Sequence, residues 1–298
     1  MAAFLFAVIT LIWGSTWLAI KVGLVGVPPF LGAGLRFLLS ALIVGAMLLA
    51  RRKSLRLTRA DRICVLSLGI PVFWVNYGSV YWAEQYISSG LTAVLFATMP
   101  LMTSLLSRFW ARSEELSARK IAGILVGVAG TVLLFWPDER LRLQQVLGMA
   151  ATLLAALCAS INLVTLKRHG GQSDRDVLNF LGMGLGSALL LLTSAVVEPW
   201  TVEWTTSNVL AMLYLAVFGS VVAFSAYYAL IKLIDATIVS LSTLIIPIVA
   251  LILGGVFLGE TAGPTAVAGI VTILAGVAVA LVPRRDGGSE RQDPPYEE

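Results

Sequence analysis

Ten apolar stretches, each close to the length a helix needs to cross a bilayer, follow one another along the 298-residue chain and leave no room for a soluble domain. They run over 3–23, 30–50, 62–84, 88–108, 119–136, 145–166, 174–197, 208–230, 236–258 and 264–283. About 20 helical residues cross the roughly 30 Å hydrocarbon core of a bilayer. Lipid offers no partner to a bare N–H or C=O, so only helices and closed barrels span it. The stretches are continuously apolar rather than alternating, which argues against barrel strands. An all-α integral membrane protein of ten transmembrane helices is expected, and its first partner is the lipid bilayer. Composition agrees, with 58% of residues hydrophobic and only 13% charged, against about 25% charged in soluble domains. The first stretch has no basic leader and carries Trp13, Trp17 and Lys21 where a signal peptide would present small residues, so it reads as a retained helix.

The charges set an orientation. With the N-terminus in the cytoplasm, seventeen basic residues fall on the inner side, among them Arg51, Arg52, Lys53, Arg108, Arg112, Lys167, Arg168 and Lys232, while Arg140 and Arg142 alone fall outside. The positive-inside rule therefore predicts that both termini are cytoplasmic. The net charge of +4 is explained by basic loops facing anionic lipid, so nucleic acid is not an expected partner. Cys64 and Cys158 lie in predicted helices and the single histidine, His169, in a predicted loop, so neither a disulfide framework nor a metal site is expected, and no cofactor.

The stretch "TAVLFATMPLMTSLL", 92–106, sets Pro100 within a helical pattern, and "SLSTLIIPIVALILG" does the same with Pro247 at an offset of 147 residues. Tyr77 and Tyr81 precede Pro100 by the spacings at which Phe224 and Tyr228 precede Pro247, and "GILVGVAG" from Gly123 matches "GIVTILAG" from Gly269. The chain thus reads as two five-helix repeats, 1–143 and 144–283, followed by a disordered cytoplasmic tail at 284–298. Five is odd, so the second copy enters the membrane from the other side and the repeats are inverted. The loop after the fourth stretch is basic and its counterpart "GETAGP" is not, as opposite compartments require.

The order of "LIWGSTW", "GLRFLLSAL", "TMPLMTSLLS", "IIPIVALILGGVFLGE" and the two glycine helices resembles the drug/metabolite transporter superfamily, of the EamA type, across essentially the whole chain. The resemblance implies a secondary transporter, in a bacterial inner membrane, with a central cavity alternately open to each side. It implies small-molecule solutes, amino acids or related metabolites first and in the direction of export. Multidrug and sugar or nucleoside carriers share the fold and stand as the alternative.

The residues themselves suggest where a solute would sit. A proline inside a helix removes a donor and frees the carbonyl four residues earlier, here Phe96 and Thr243, at a cost of about 3 kcal/mol unless neighbours compensate. Two such prolines at matched positions near mid-bilayer are expected to mark hinges or cavity walls. Tyr77 and Tyr81, with Asn76 beside them, form a face of the third helix that Phe224 and Tyr228 echo on the eighth. Trp13 and Trp17 on the first helix, Asn162 on the sixth and Thr243 on the ninth complete the candidate set. Arg36 is the formal charge deepest within a span, and two roles stand side by side: an anchor snorkelling to the interface, or a partner for a substrate carboxylate. Glu84, near the outer end, reads as part of an interfacial belt with Tyr86.

The pattern disfavours an enzyme, since no Ser/His, paired-carboxylate or metal constellation falls at one depth. A channel is disfavoured too, because a duplicated inverted unit suits alternating access better than a ring of filters. All seventeen acidic residues fall in loops, at span edges or in the tail. Carriers driven by protons commonly use an intramembrane acid or histidine, so transport down the solute's own gradient is expected.

Overall fold

The structure, a computed structural model, describes residues 1–110, 117–134, 142–169, 174–199, 201–230, 233 and 242–281. The expected tail at 284–298, Arg112, Arg140 and Lys232 lie outside these residues, as does the side chain of Tyr228.

The described residues contain helices and connections, with no strand among them. In chain order we label the helical stretches α1 (Ala2–Gly23), α2 (Pro29–Ala50), α3 (Arg59–Ala83), α4 (Ser89–Phe109), α5 (Ala118–Leu134), α6 (Leu143–His169), α7 (Arg175–Val197), α8 (206–230), α9 (Ser242–Leu258) and α10 (Pro264–Leu281). Among the described residues eight of them are long and apolar enough to cross a membrane, and the described parts of α5 and α9 are 17 residues each. His169, expected in a loop, ends α6 instead, where a basic last turn of Lys167, Arg168 and His169 suits the negative end of the helix dipole.

Helix starts follow local chemistry. Thr58 with Asp61 and Thr205 with Asn208 form capping boxes at α3 and α8, and Ser88 caps α4. Two starts are capped from a distance. Glu198, just after α7, accepts the amides of Phe30 and Leu31 at 2.8 and 3.0 Å, at the head of α2. Glu260, after α9, accepts those of Ser89 and Gly90 and the Ser89 hydroxyl, at the head of α4. Carboxylates satisfy orphan donors there and oppose the positive dipole end. Glu198→Ala and Glu260→Ala are each expected to cost about 1–2 kcal/mol of stability. Thermal melting in detergent checks this, with Glu203→Ala as a neutral control because Glu203 bonds the Gly26 carbonyl through its backbone.

The two prolines act differently on the backbone. Pro100 stands in the first turn of a new segment, Met99–Phe109, after α4 breaks at Ala97 and Thr98. The break is held by side chains: Thr98 Oγ1 donates to the Leu95 carbonyl at 2.7 Å and Ser160 of α6 to the Met99 carbonyl at 3.0 Å. Pro247 sits inside α9, which runs on through it. The first proline coincides with a helix break, where the Thr98 hydroxyl caps the Leu95 carbonyl, and the second does not.

A matched irregularity lies elsewhere. Leu68–Asn76 within α3 and Leu215–Val222 within α8 are π-helical, beginning 147 residues apart. A π turn widens the helix and leaves carbonyls without their usual donor; Ser220 fills one at Leu215 and Ser40 of α2 reaches the Ala216 carbonyl at 3.2 Å.

Packing brings α2 against α7 and α5 against α10. Both pairs are antiparallel: the head of α2 meets Glu198 at the tail of α7 while Arg51 meets Asp176 at the other end, and Gly123 faces Ala280 while Gly130 faces Gly269. Helix α1 lies on α8 and α9, and α6 on α3 and α4. The main apolar cluster includes Trp17, Phe37, Phe73, Tyr81 and Leu190, with Tyr77, Phe96 and Phe224 packed against it.

Candidate functional site

Arg36 lies at the centre of this packing. Helix α2 carries it inward, and its residue is 2% exposed. The guanidinium stands over the rings of Phe37 and Tyr77, 4.8 and 5.1 Å from their centroids, and Nη1 reaches the Tyr81 hydroxyl at 3.4 Å. A Cβ on Gly219, in the π segment of α8, would sit 3.3 Å from Nη2 and 2.9 Å from Thr16 Cγ2. The glycine thus admits both side chains to one crossing of α1, α2, α3 and α8. Arg36 Nε has no hydrogen-bond partner among the described residues. Snorkelling is overturned: the side chain turns into the bundle and is held by π faces rather than by interfacial water.

A planar, always-charged group with uncommitted donors fits a carboxylate or other planar anion. The surrounding rings supply apolar contact and favour the cation through their quadrupoles.

The other residues singled out in the sequence fall around this point in separate contacts. Tyr77 packs on Phe37 at 4.5 Å and stacks on Phe73 at 6.0 Å between centroids. Trp17 meets Phe96 at 5.5 Å, and Trp13 meets Phe224 at 5.8 Å and Tyr227 at 5.4 Å. Asn76 is buried, and Asn162 accepts a hydrogen bond from Ser67 at 2.9 Å, tying α6 to α3. Thr243 is half-buried on α9. Trp74, which a regular helix would place on the face of Tyr77 and Tyr81, donates instead to Thr193 of α7 at 2.9 Å, because the π segment changes the phase of the helix just before Tyr77. Phe224 also lines a small cavity between α2, α7 and α8, with Val44, Asn179, Met183 and Ser220.

Toward the end where α1 and α3 finish, Lys21 donates to the carbonyls of Glu84 and Ile87, the latter at 2.8 Å. Glu84, expected in an exposed belt, is fully buried; Trp82 and Tyr86 pair with each other at 4.9 Å instead. Sequence reasoning offered Glu84 as a belt or gate residue and missed its burial, because burial at a helix end depends on which neighbours cover it. Its spacing of three from Tyr81 was the available signal. The opposite end is tied by Lys53 to Asp174 at 2.8 Å. That hydrogen bond raises the lysine above its ordinary value and holds the Asp174 carboxyl below the usual carboxylate range.

The pattern of the EamA-like transporter family matches this chain twice, over residues 1–136 and 146–282. An uncharacterized transporter, YoaV, of Bacillus subtilis (strain 168) is 28% identical over 272 residues, covering 90% of this chain and 92% of its own. The uncharacterized inner membrane transporter YedA of Escherichia coli (strain K12) is 31% identical over 258 residues, 84% and 81% of the two chains. A probable amino-acid metabolite efflux pump of Salmonella typhimurium is 28% identical over 290 residues, 93% of each. One solved crystal structure shares the fold at a TM-score of 0.66 and 24% identity, covering 94% of this chain and 96% of that one.

Proposed function

The chain belongs to the EamA-like transporter family, and on that premise we propose that it is an alternating-access carrier exporting amino acids or related small metabolites, with Arg36 holding the solute's carboxylate. It is an integral membrane transporter. The observation that carries the solute class is the buried Arg36 guanidinium, with aromatic walls and an Nε that no described residue satisfies. The name of the Salmonella relative points the same way. We assign the solute's contacts to Trp13, Trp17, Asn76, Tyr77, Tyr81, Asn162, Phe224 and Thr243, and to Tyr228 on its sequence correspondence to Tyr81, with Pro100 and Pro247 on the helices that flank the path.

The ten helices form two inverted repeats, 1–143 and 144–283. Support comes from the two copies of the family pattern, from the π segments 147 residues apart, and from helices of like position running antiparallel on each other, α2 on α7 and α5 on α10. Exchanging each helix for the one five places on also turns the α1–α9 contact into α6–α4, and α1–α8 into α6–α3, both present. Two units related in this way, each able to rock on the other, are the arrangement alternating access needs.

The bilayer is the bacterial inner membrane, as YedA's name suggests, with both termini cytoplasmic. Ser54 and Ser207, both exposed, then lie on opposite sides. In intact cells an impermeant maleimide is expected to label Ser207→Cys and to spare Ser54→Cys until the membrane is opened; the reverse pattern inverts the assignment. For the solute, proteoliposomes are preloaded with radiolabelled L-amino acids, sugars, nucleosides or cationic dyes and counterflow is read. Exchange confined to amino acids is expected, and exchange of another class without them overturns the proposal.

A further inference from the structure

We propose that Glu84 is a proton-binding site through which transport is coupled to the proton gradient: its carboxyl carries a proton while the outer end of the bundle is closed and releases it to water as that end opens. The coupling rests on the transporter reading above. The proton site stands on geometry alone.

Glu84 follows the last turn of α3 and is 0% exposed, and neither carboxyl oxygen has a hydrogen-bond donor among the described residues. Helix carbonyls gather at that end, which disfavours a negative charge. The charged and titratable groups facing it are Lys21 from α1, Glu260 from the connection after α9, Arg36 from α2, and Tyr81 one turn back on α3. None serves the carboxyl directly. Lys21 donates to the backbone carbonyls of Glu84 and Ile87, Arg36 is engaged with Tyr81 and its rings, and Glu260 is committed to the head of α4 and adds a second negative charge. From α6, Gly148 packs on Ala83 and Ile87. An ionised carboxylate without donors is not sustained in such a place, whereas a carboxylic acid is neutral and brings its own O–H.

The same geometry supplies the second arrangement. When the O–H bond of Glu84 breaks and its proton passes to outer water, the carboxylate left behind competes with two carbonyls for the Lys21 ammonium. Lys21 is what ties the end of α1 to the α3–α4 connection. Its transfer to the carboxylate releases that tie, so loss of the proton and opening of the outer end are one event. An acid need not lie at mid-bilayer to be shielded from water; here tertiary packing does it at a helix end.

The test uses the full chain in lipid vesicles without solute. Infrared difference spectra read the protonated carboxyl. Double electron–electron resonance reads the distance between spin labels at Val25→Cys and Gln85→Cys, both exposed positions, with Cys64→Ser and Cys158→Ser removing the native thiols. At neutral pH a protonated-carboxyl band is expected in the parent and absent from Glu84→Gln. From mildly acidic to alkaline pH the longer-distance population is expected to rise at least about threefold, and not to respond in Glu84→Gln. Glu84→Asp and Glu260→Gln, which keep a carboxyl at 84, are expected to retain both signals. Absence of the band, a pH-independent distance in the parent, a response surviving in Glu84→Gln, or a response that follows sodium rather than pH overturns the proposal. Neither signal needs a solute, so a failed counterflow screen beside these results would count against the transporter reading alone.

Discussion

Gly130→Val is expected to separate α5 from α10 and remove most of the folded protein. A Cβ at Gly130 would stand 2.6 Å from the Ile273 amide nitrogen and 2.9 Å from the Gly269 carbonyl, and one at Gly276 only 2.5 Å from the Gly127 nitrogen. These neighbours are backbone, so no rotamer change relieves the contact and the helices must part. Overpacking of this kind costs about 1–3 kcal/mol and more where the backbone itself blocks the way. Membrane helices associate through close packing, not through hydrophobic burial, so few other contacts replace what is lost. Gly184→Ala is the control, because no atom of the described residues lies within 4 Å of a Cβ placed there. Monodisperse yield and melting temperature in detergent check the pair; equal values would mean that close approach is not what holds α5 on α10.

Arg36→Lys is expected to lower transport at least about tenfold while leaving the protein folded, since an ammonium keeps the charge but not the planar fork or the stacking. Arg36→Ala is expected to lose transport and stability together. It removes cation–π contacts with Phe37 and Tyr77, worth about 2 kcal/mol when desolvated, and the hydrogen bond to Tyr81. Initial rates in proteoliposomes with whichever amino acid exchanges in the counterflow screen, read beside melting temperatures, check both variants. Arg36→Lys at parental rates with parental stability would return Arg36 to a structural role.

Much of the fold was legible in the sequence because the bilayer leaves it few choices. Hydrocarbon tolerates no unsatisfied backbone, so apolar runs alone located the helices, and most described boundaries fall within three residues of those read from the chain. The glycines of α5 and α10 were legible as packing residues for the same reason: at 3.6 residues per turn their spacing lines one face, and only hydrogen leaves room for a neighbouring backbone. The charge at Arg36 was visible as an intramembrane anomaly. Its surroundings were not, because they combine residues from α1, α2, α3 and α8 that no local pattern relates.

What tertiary structure decided is where helices depart from regularity and what covers their ends. The π turns of α3 and α8 rotated Trp74 toward α7 and left Tyr77 and Tyr81 toward Arg36, a phase change that periodicity at 3.6 residues does not contain. Pro100 stands just after a break in its helix and Pro247 inside an unbroken one, a difference that two prolines at matched positions do not announce. Glu198 and Glu260 became caps of helices far from them in sequence. Glu84 became a buried acid because Lys21 is held by backbone carbonyls and α6 closes over the end of α3. Burial is a property of neighbours, and a residue's own sequence context does not name them.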